Sequence, residues 1–218
     1  MGQGSIADMS GFELGTPELV CRWRLQHRRL PLENRHLRAL LAREVSGKPV
    51  SQELVAWAKQ HLEWTLDQGA AAHPDGTLML VVDGEGRAAM TVGPFEPLVD
   101  TSVVALGRRA LVAQREAERT HVAPETLWIA QGDLLHFDPG TYGIVSGTAS
   151  LVQQLAQTMG IEVVRHDDLV TDLADGRQAY DEVFLVSDEY GVVPAGTACG
   201  RHGERFAQGY ARLLEQCR

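Results

Sequence analysis

The chain has 218 residues and a formal net charge of −9, with 20 basic and 29 acidic side chains. This acidic balance argues against a nucleic-acid or anionic-membrane partner, and no apolar run approaches the ~20 residues that span a bilayer. The three cysteines, Cys21, Cys199 and Cys217, are odd in number and widely spaced. They favour free thiols in a reducing compartment, so we expect a cytoplasmic protein. Cys199 and His202 supply only two of the four ligands of a structural zinc site, and no metal is expected.

Apolar periodicity and turn residues predict an α+β chain. In chain order the first half carries a strand at 22–26, a helix at 31–45, a helix at 52–68 capped by Ser51, and a hairpin with strands at 77–82 and 88–92. The second half carries a helix at 104–119, strands at 127–130 and 134–137, a helix at 149–159, strands at 162–165, 183–186 and 192–193, and a helix at 204–216.

The organisation predicted from these elements has two lobes. Residues 1–10 read as a disordered leader, because they lack both a basic start and an apolar core. The prolines near 95–100 interrupt the pattern, so we expect an N-terminal α+β lobe over 11–96 and a C-terminal α+β lobe over 97–218.

Four stretches carry a resemblance to a known family. They are "GTASLVQQLAQTMGIEVV", "YDEVFLVSDEYGVVPAGTACGR", "REAERTHVAPETLWIAQGDLLH" and, more faintly, "PLENRHLRALLARE". Together they resemble the class IV aminotransferases, the fold-type IV pyridoxal-phosphate (PLP) proteins that include branched-chain aminotransferases and 4-amino-4-deoxychorismate lyases. The resemblance implies a shortened, two-lobed α+β fold and a homodimer.

The residues that the family's chemistry requires do not fall where the resemblance would place them. The lysine place is occupied by Val103, and the chain's two lysines, Lys48 and Lys59, lie elsewhere. His136 stands at the glutamate place, and the phosphate-binding arginine place, three residues after His36, is Ala39. Since PLP chemistry needs a Schiff-base lysine and a carboxylate at the pyridine nitrogen, we expect a protein without a PLP cofactor.

The turn after the strand at 183–186 resembles the family's phosphate-side turn, and Ser187 suits that role. Asp188 and Glu189 follow it, and a carboxylate near a phosphate is repelled by about 1 kcal/mol in water and by more when desolvated. The sequence therefore predicts that this turn holds no phosphate. The alternative is that both acids point into solvent, where they would have little effect.

The candidate catalytic residues are His136, Asp188 and Tyr142, which offer acid–base groups in the cleft between the lobes. The alternative for His136 is a strand residue with an exposed ring. The candidate ligand-binding residues are Ser146, Gly147, Thr148, Ser187, Arg38 and His36. For Tyr142, Ser146 and Thr148 the alternative is ordinary helix capping. For His36 it is a helix surface or packing against the strand, and for Arg38 it is a solvated face.

Three hypotheses of function follow. The first is a repurposed, PLP-independent protein that binds a small carboxylate-bearing metabolite in the cleft, as a lyase or isomerase of secondary metabolism. The second is a non-catalytic sensor, or a partner that forms a heterodimer with an active homologue. The third is a PLP-dependent aminotransferase or lyase, which would require a lysine at a place that the spacing does not indicate.

Overall fold

The computed structural model describes residues 13–217, so the predicted leader at 1–10 lies outside the described residues. The helices are α1 (Glu33–Leu41), α2 (Gln52–Gln68), α3 (Val103–Thr120), α4 (Gly147–Thr158), α5 (Leu169–Ala174) and α6 (Arg201–Gln216). The strands are β1 (Pro17–Arg24), β2 (Glu44–Val45), β3 (Lys48–Pro49), β4 (Thr77–Asp83), β5 (Ala88–Gly93), β6 (Glu125–Gln131), β7 (Leu134–Phe137), β8 (Glu162–Arg165), β9 (Glu182–Ser187) and β10 (Gly191–Pro194).

The first half of the chain folds around an antiparallel sheet in the order β1-β4-β5. Strand β1 alternates, with Leu19, Cys21 and Trp23 buried, as expected for a strand with one face on a core. Helices α1 and α2 cover that face. Ser51 caps α2 by accepting a hydrogen bond from the amide of Leu54 (3.1 Å), as its sequence position predicts.

The second half folds around a five-stranded sheet in the order β10-β9-β6-β7-β8, with only the β7–β8 pair parallel. Strands β6 and β9 lie at its centre and are buried on both faces. One face, with Trp128 and Phe184, packs against α4 and α6. The other face, with Ile129 and Leu185, packs against α3 and α5. The predicted two-lobed α+β architecture is confirmed.

The helix predicted at 31–45 is shorter in the structure. It ends at Leu41, because Ser46 and Gly47 have positive φ angles (51° and 72°) and turn the chain into the small β2–β3 hairpin. Residues 94–102, where the sequence predicted a break, contain neither helix nor strand. No helix within residues 13–217 has the length and apolar character needed to cross a membrane.

Candidate functional site

The site begins where the turn after β9 meets the N-terminus of α4. Asp188, in that turn, is 4% exposed, and its Oδ1 accepts a hydrogen bond from the amide of Thr148 (2.8 Å). Ser146 is the N-cap of α4 and accepts from the amide of Ala149 (3.4 Å). The first amides of a helix attract negative charge, because their N–H groups have no partner inside the helix and the helix dipole is positive there. The carboxylate of Asp188 therefore occupies a natural anion seat.

His36 closes this seat from the side of α1. Its Nδ1 lies 3.6 Å from Oδ2 of Asp188, and both side chains are almost fully buried. The imidazole stacks on Trp23, with 5.4 Å between ring centroids. A Cβ at Gly147 would lie 2.5 Å from Nδ1 of His36, so this close approach of α1 to α4 depends on a glycine at that position.

The electrostatics of the seat favour the ionised carboxylate. Burial by itself raises the pKa of Asp188, but the opposing effects of His36, the Thr148 amide and the more distant Arg43 hold it below its ordinary value. Because Asp188 is only 4% exposed, the alternative that it points into solvent is wrong. Glu189 is half-buried. The Asp188 carboxylate already occupies the anion-binding position at the start of α4, beside the turn that was predicted to hold no phosphate.

Ser187 organises the same turn. Its hydroxyl donates to Oε1 of Glu125 (2.9 Å) and accepts from the amides of Glu189 (3.2 Å) and Tyr190 (3.1 Å). Arg109 donates to the same oxygen of Glu125 (2.8 Å), and its guanidinium lies over the Tyr190 ring, 4.7 Å from the centroid. The hydroxyl predicted to contact a ligand is thus engaged within the protein.

A cleft of about 280 Å³ lies beside this turn, between β1 and α3. Its lining combines apolar and charged side chains: Val20, Arg22, Arg108, Arg109, Val112, Ala113, Glu116, Pro124, Glu125, Ser187, Asp188 and Glu189. Asp188 is the member of the predicted catalytic set that reaches this cleft.

Most charges in the cleft have partners of opposite sign. Besides the Asp188–His36 and Arg109–Glu125 pairs, Glu116 lies 3.5 Å from Arg43. The exposed guanidinium groups of Arg22 and Arg108 have no carboxylate within 4.0 Å among residues 13–217.

Two carboxyl groups of the cleft hold their protons more tightly than an ordinary glutamate does. Burial raises the pKa of Glu116 and of Glu189, although neighbouring arginines oppose the shift in both cases. Such groups can act as proton donors at a pH where a free glutamate is already ionised.

His136 and Tyr142 do not line this cleft, so it does not bring the three candidate catalytic residues together. His136 lies on β7, where alternation puts Leu135 and Phe137 on the α4 side and His136 on the opposite side. Its ring meets that of His166 edge-on at 5.7 Å, and burial, with His166, lowers its pKa. Tyr142 is 47% exposed and packs on the ring of His121 at 3.8 Å.

Arg38 also lies apart from the cleft. It is exposed, its Nε donates to the carbonyl of Asn34 (3.1 Å), and it borders a separate groove of about 430 Å³ together with Arg35. The other side of this groove is formed by Gly143–Val145 and Ser150, which lead into α4. The sequence position one residue before Ala39 indicated this different direction.

Sequence reasoning did not identify Arg22, Arg108, Arg109, Glu116 and Glu125 as site residues. Arginines on an exposed strand or helix face are more often solvated than functional, so the sequence gives no signal for Arg22, Arg108 or Arg109. The available signal was the position of Glu125 at the start of a buried strand, where an acid needs a partner.

Comparison with solved structures identifies the architecture. A fold IV-transaminase from Curtobacterium pusillum has a TM-score of 0.56 and 15% sequence identity, covering 99% of this chain and 89% of its own. A hypothetical aminotransferase from Mycobacterium tuberculosis, in its α-ketoglutarate- and PMP-bound form, has a TM-score of 0.55 and 18% identity, covering 99% and 93%. A protein provisionally assigned as a 4-amino-4-deoxychorismate lyase from Legionella pneumophila has a TM-score of 0.54 and 13% identity, covering 99% and 96%. The chain has the fold-type IV fold. No protein-family model and no curated protein matches it.

The cleft of this fold-type IV chain is lined by no lysine among the described residues. The sequence holds two lysines, Lys48 on β3 and Lys59 on α2; both are exposed and neither lines the cleft. At the start of α4, the Asp188 carboxylate accepts a hydrogen bond from the Thr148 amide, and His36 covers Gly147. A second anion there would be repelled by the first, in a region that excludes water.

Proposed function

We propose that the chain is a PLP-independent protein of fold-type IV architecture that binds a small carboxylate-bearing metabolite in the cleft between β1 and α3. The observation that carries the proposal is the buried Asp188 carboxylate on the Thr148 amide, with His36 beside it. This arrangement supplies internally the negative charge that a phosphate would bring, and it leaves the adjacent cleft open.

The cleft suits a carboxylate because of its two free cations. Arg22 and Arg108 line it from β1 and α3, and a planar guanidinium can bind a carboxylate through two parallel hydrogen bonds. The apolar side chains of Val20 and Val112 lie beside them and can cover a small hydrocarbon portion. A cleft of about 280 Å³ is at the small end of metabolite pockets.

A second candidate function is acid–base catalysis of lyase or isomerase type in the same cleft. It is favoured by the raised pKa values of Glu116 and Glu189, which keep protons available next to the two arginines. In this proposal Arg22 and Arg108 would hold the substrate, and Glu189 would donate or remove the proton. His136 and Tyr142 have no part in it, because both lie outside the cleft.

Differential scanning fluorimetry and calorimetry with pyruvate, succinate and benzoate as probes test the binding proposal. We expect at least one probe to bind the wild type and to bind Arg22→Gln/Arg108→Gln at least about thirtyfold more weakly, since two charge-assisted contacts of about 1 kcal/mol or more each are removed. The matched control is Arg205→Gln/Arg212→Gln, which removes two exposed arginines from α6. If no carboxylate binds, or if both double variants bind equally, the proposal fails.

A separate experiment addresses the cofactor. After incubation with PLP and reduction with borohydride, peptide mapping should find no stable modification that depends on the native fold. Stoichiometric labelling of Lys48 or Lys59 in the folded protein, abolished by denaturation, would instead support the PLP-dependent alternative.

A further inference from the structure

Helix α3 carries a continuous exposed stripe that the cleft does not account for. The stripe consists of Val104, Arg108, Val112, Arg115 and Arg119, whose spacings of three and four residues place them on one side of the helix. Val104 is 63% exposed and Val112 is 64% exposed, while the opposite side of α3 is buried in the core. Only Arg108 and Val112 also line the cleft.

The charges of this α3 stripe are of one sign. Among residues 13–217, Arg108, Arg115 and Arg119 have no carboxylate within 4.0 Å. Of the acids nearby, Asp100 accepts from the amide of Ser102 and Glu116 lies beside Arg43. Glu118 is exposed on the flank of the stripe and lies more than 4.0 Å from the described arginines. Three unpaired arginines in one row stand out in a chain whose net charge is −9.

We propose that the α3 stripe is a docking surface for an acidic amphipathic helix of a partner protein. Charge complementarity selects an acidic occupant. Two exposed valines, Val104 at one end of the row and Val112 between Arg108 and Arg115, provide the apolar contacts that anchor a helix. The row from Val104 to Arg119 is about 22 Å long, which matches a partner helix of about four turns. A second copy packed through the same stripe would place arginines against arginines, and such like-charge contacts oppose association.

The proposal is independent of the function proposed for the cleft. Val104, Arg115 and Arg119 do not line the cleft, so changes at these positions test the stripe without removing a cleft residue. The acidic chain as a whole, and the valines within the stripe, argue against a nucleic acid as the occupant.

Fluorescence anisotropy with a labelled helical peptide tests the proposal. The probe is a capped peptide of about 16 residues, long enough to cover the row, with glutamate and leucine on one face; in a second peptide, lysine replaces each glutamate. We expect the glutamate peptide to bind the wild type and to bind Arg115→Glu/Arg119→Glu at least about tenfold more weakly, because two attractive pairs become repulsive. The lysine peptide should show the reverse preference. Arg205→Glu/Arg212→Glu, with the same change of charge on α6, should bind like the wild type.

The α6 control has the same net charge as Arg115→Glu/Arg119→Glu, so affinity for the lysine peptide that is gained by the stripe variant and not by the control separates docking from misfolding and from net charge. Val104→Asp should also weaken the binding of the glutamate peptide. No binding of the glutamate peptide to the wild type, or equal loss in the α6 control, overturns the proposal. The proposal is also overturned if single-stranded RNA displaces the glutamate peptide and binds the stripe with higher affinity than the peptide does.

Discussion

Replacement of Asp188 by alanine tests the central feature of the site. The change leaves the Thr148 amide without an acceptor at the start of α4 and leaves His36 buried without its carboxylate partner. Leaving a buried polar group without its partner costs about 1–3 kcal/mol for each group. For a chain of this size that corresponds to a fall in melting temperature on the order of 10 °C. Asp188→Asn keeps an oxygen for the Thr148 amide and removes only the charge, so its loss should be smaller.

Thermal unfolding with and without formate measures the effect. In Asp188→Ala a formate ion can enter the vacated space at the start of α4, and a ligand that binds only the folded state raises its stability. We therefore expect formate to raise the melting temperature of Asp188→Ala but not that of the wild type, with sodium chloride at equal ionic strength as the salt control. Glu204→Ala, which removes an exposed acid from α6, should change neither value.

The pH dependence follows from the direction of the Asp188 shift. Its folded pKa lies below the ordinary value, so its stabilising contribution is present above the ordinary carboxyl pKa and is lost as pH falls through the folded value. The difference between wild type and Asp188→Asn should therefore shrink under acidic conditions. If Asp188→Ala melts at the wild-type temperature, or formate stabilises both proteins alike, Asp188 does not serve as the internal anion of α4.

Two further changes give expected outcomes elsewhere in the chain. Gly191→Ala should destabilise the protein by about 1–3 kcal/mol, because Gly191 has a φ of +72° and an added Cβ would lie 2.3 Å from the Tyr210 ring. Chemical denaturation measures the change in the free energy of unfolding. The control is Gly209→Ala on α6, where an added Cβ would meet nothing within 4 Å, and this change should be neutral or stabilising. If Gly209→Ala loses as much free energy of unfolding as Gly191→Ala does, this explanation is wrong. Glu189 has a raised folded pKa, so the wild type should lose stability as pH rises past the ordinary glutamate value, and Glu189→Gln should lose less over that range. Melting curves across pH, with Glu215→Gln as the exposed control, check this, and parallel curves for wild type and Glu189→Gln would refute the assignment.

The sequence predicted elements that depend on local pattern. The α3 and α4 helices, the β4–β5 hairpin and the Ser51 cap all appear at or within a few residues of their expected bounds, because periodicity and capping residues act over short distances. The end of α1 was missed because the turn at Ser46 and Gly47 competes with a helical pattern that continues beyond Leu41.

The site was predicted less well, for reasons of tertiary geometry. The sequence was enough to predict that the Asp188 carboxylate would repel a phosphate at this turn. The contacts of that carboxylate could not be predicted, because they depend on how β9 approaches α4 and how α1 approaches both. His136 was placed by spacing along the chain, whereas the alternation of β7 decides its side of the sheet. Spacing along the chain locates a residue within a strand, but it does not show which cavity lies against the face of the sheet that carries the side chain.

The contact of Asp188 with α4 and α1 also has a consequence for the kinetics of unfolding. It joins three segments that are distant in sequence. We therefore expect it to form late, after β9 has paired with β6. Interactions made after the folding transition state change the unfolding rate and leave the folding rate almost unaltered. Asp188→Ala should therefore raise the unfolding rate and leave the folding rate almost unchanged, so that Asp188 determines the lifetime of the folded chain.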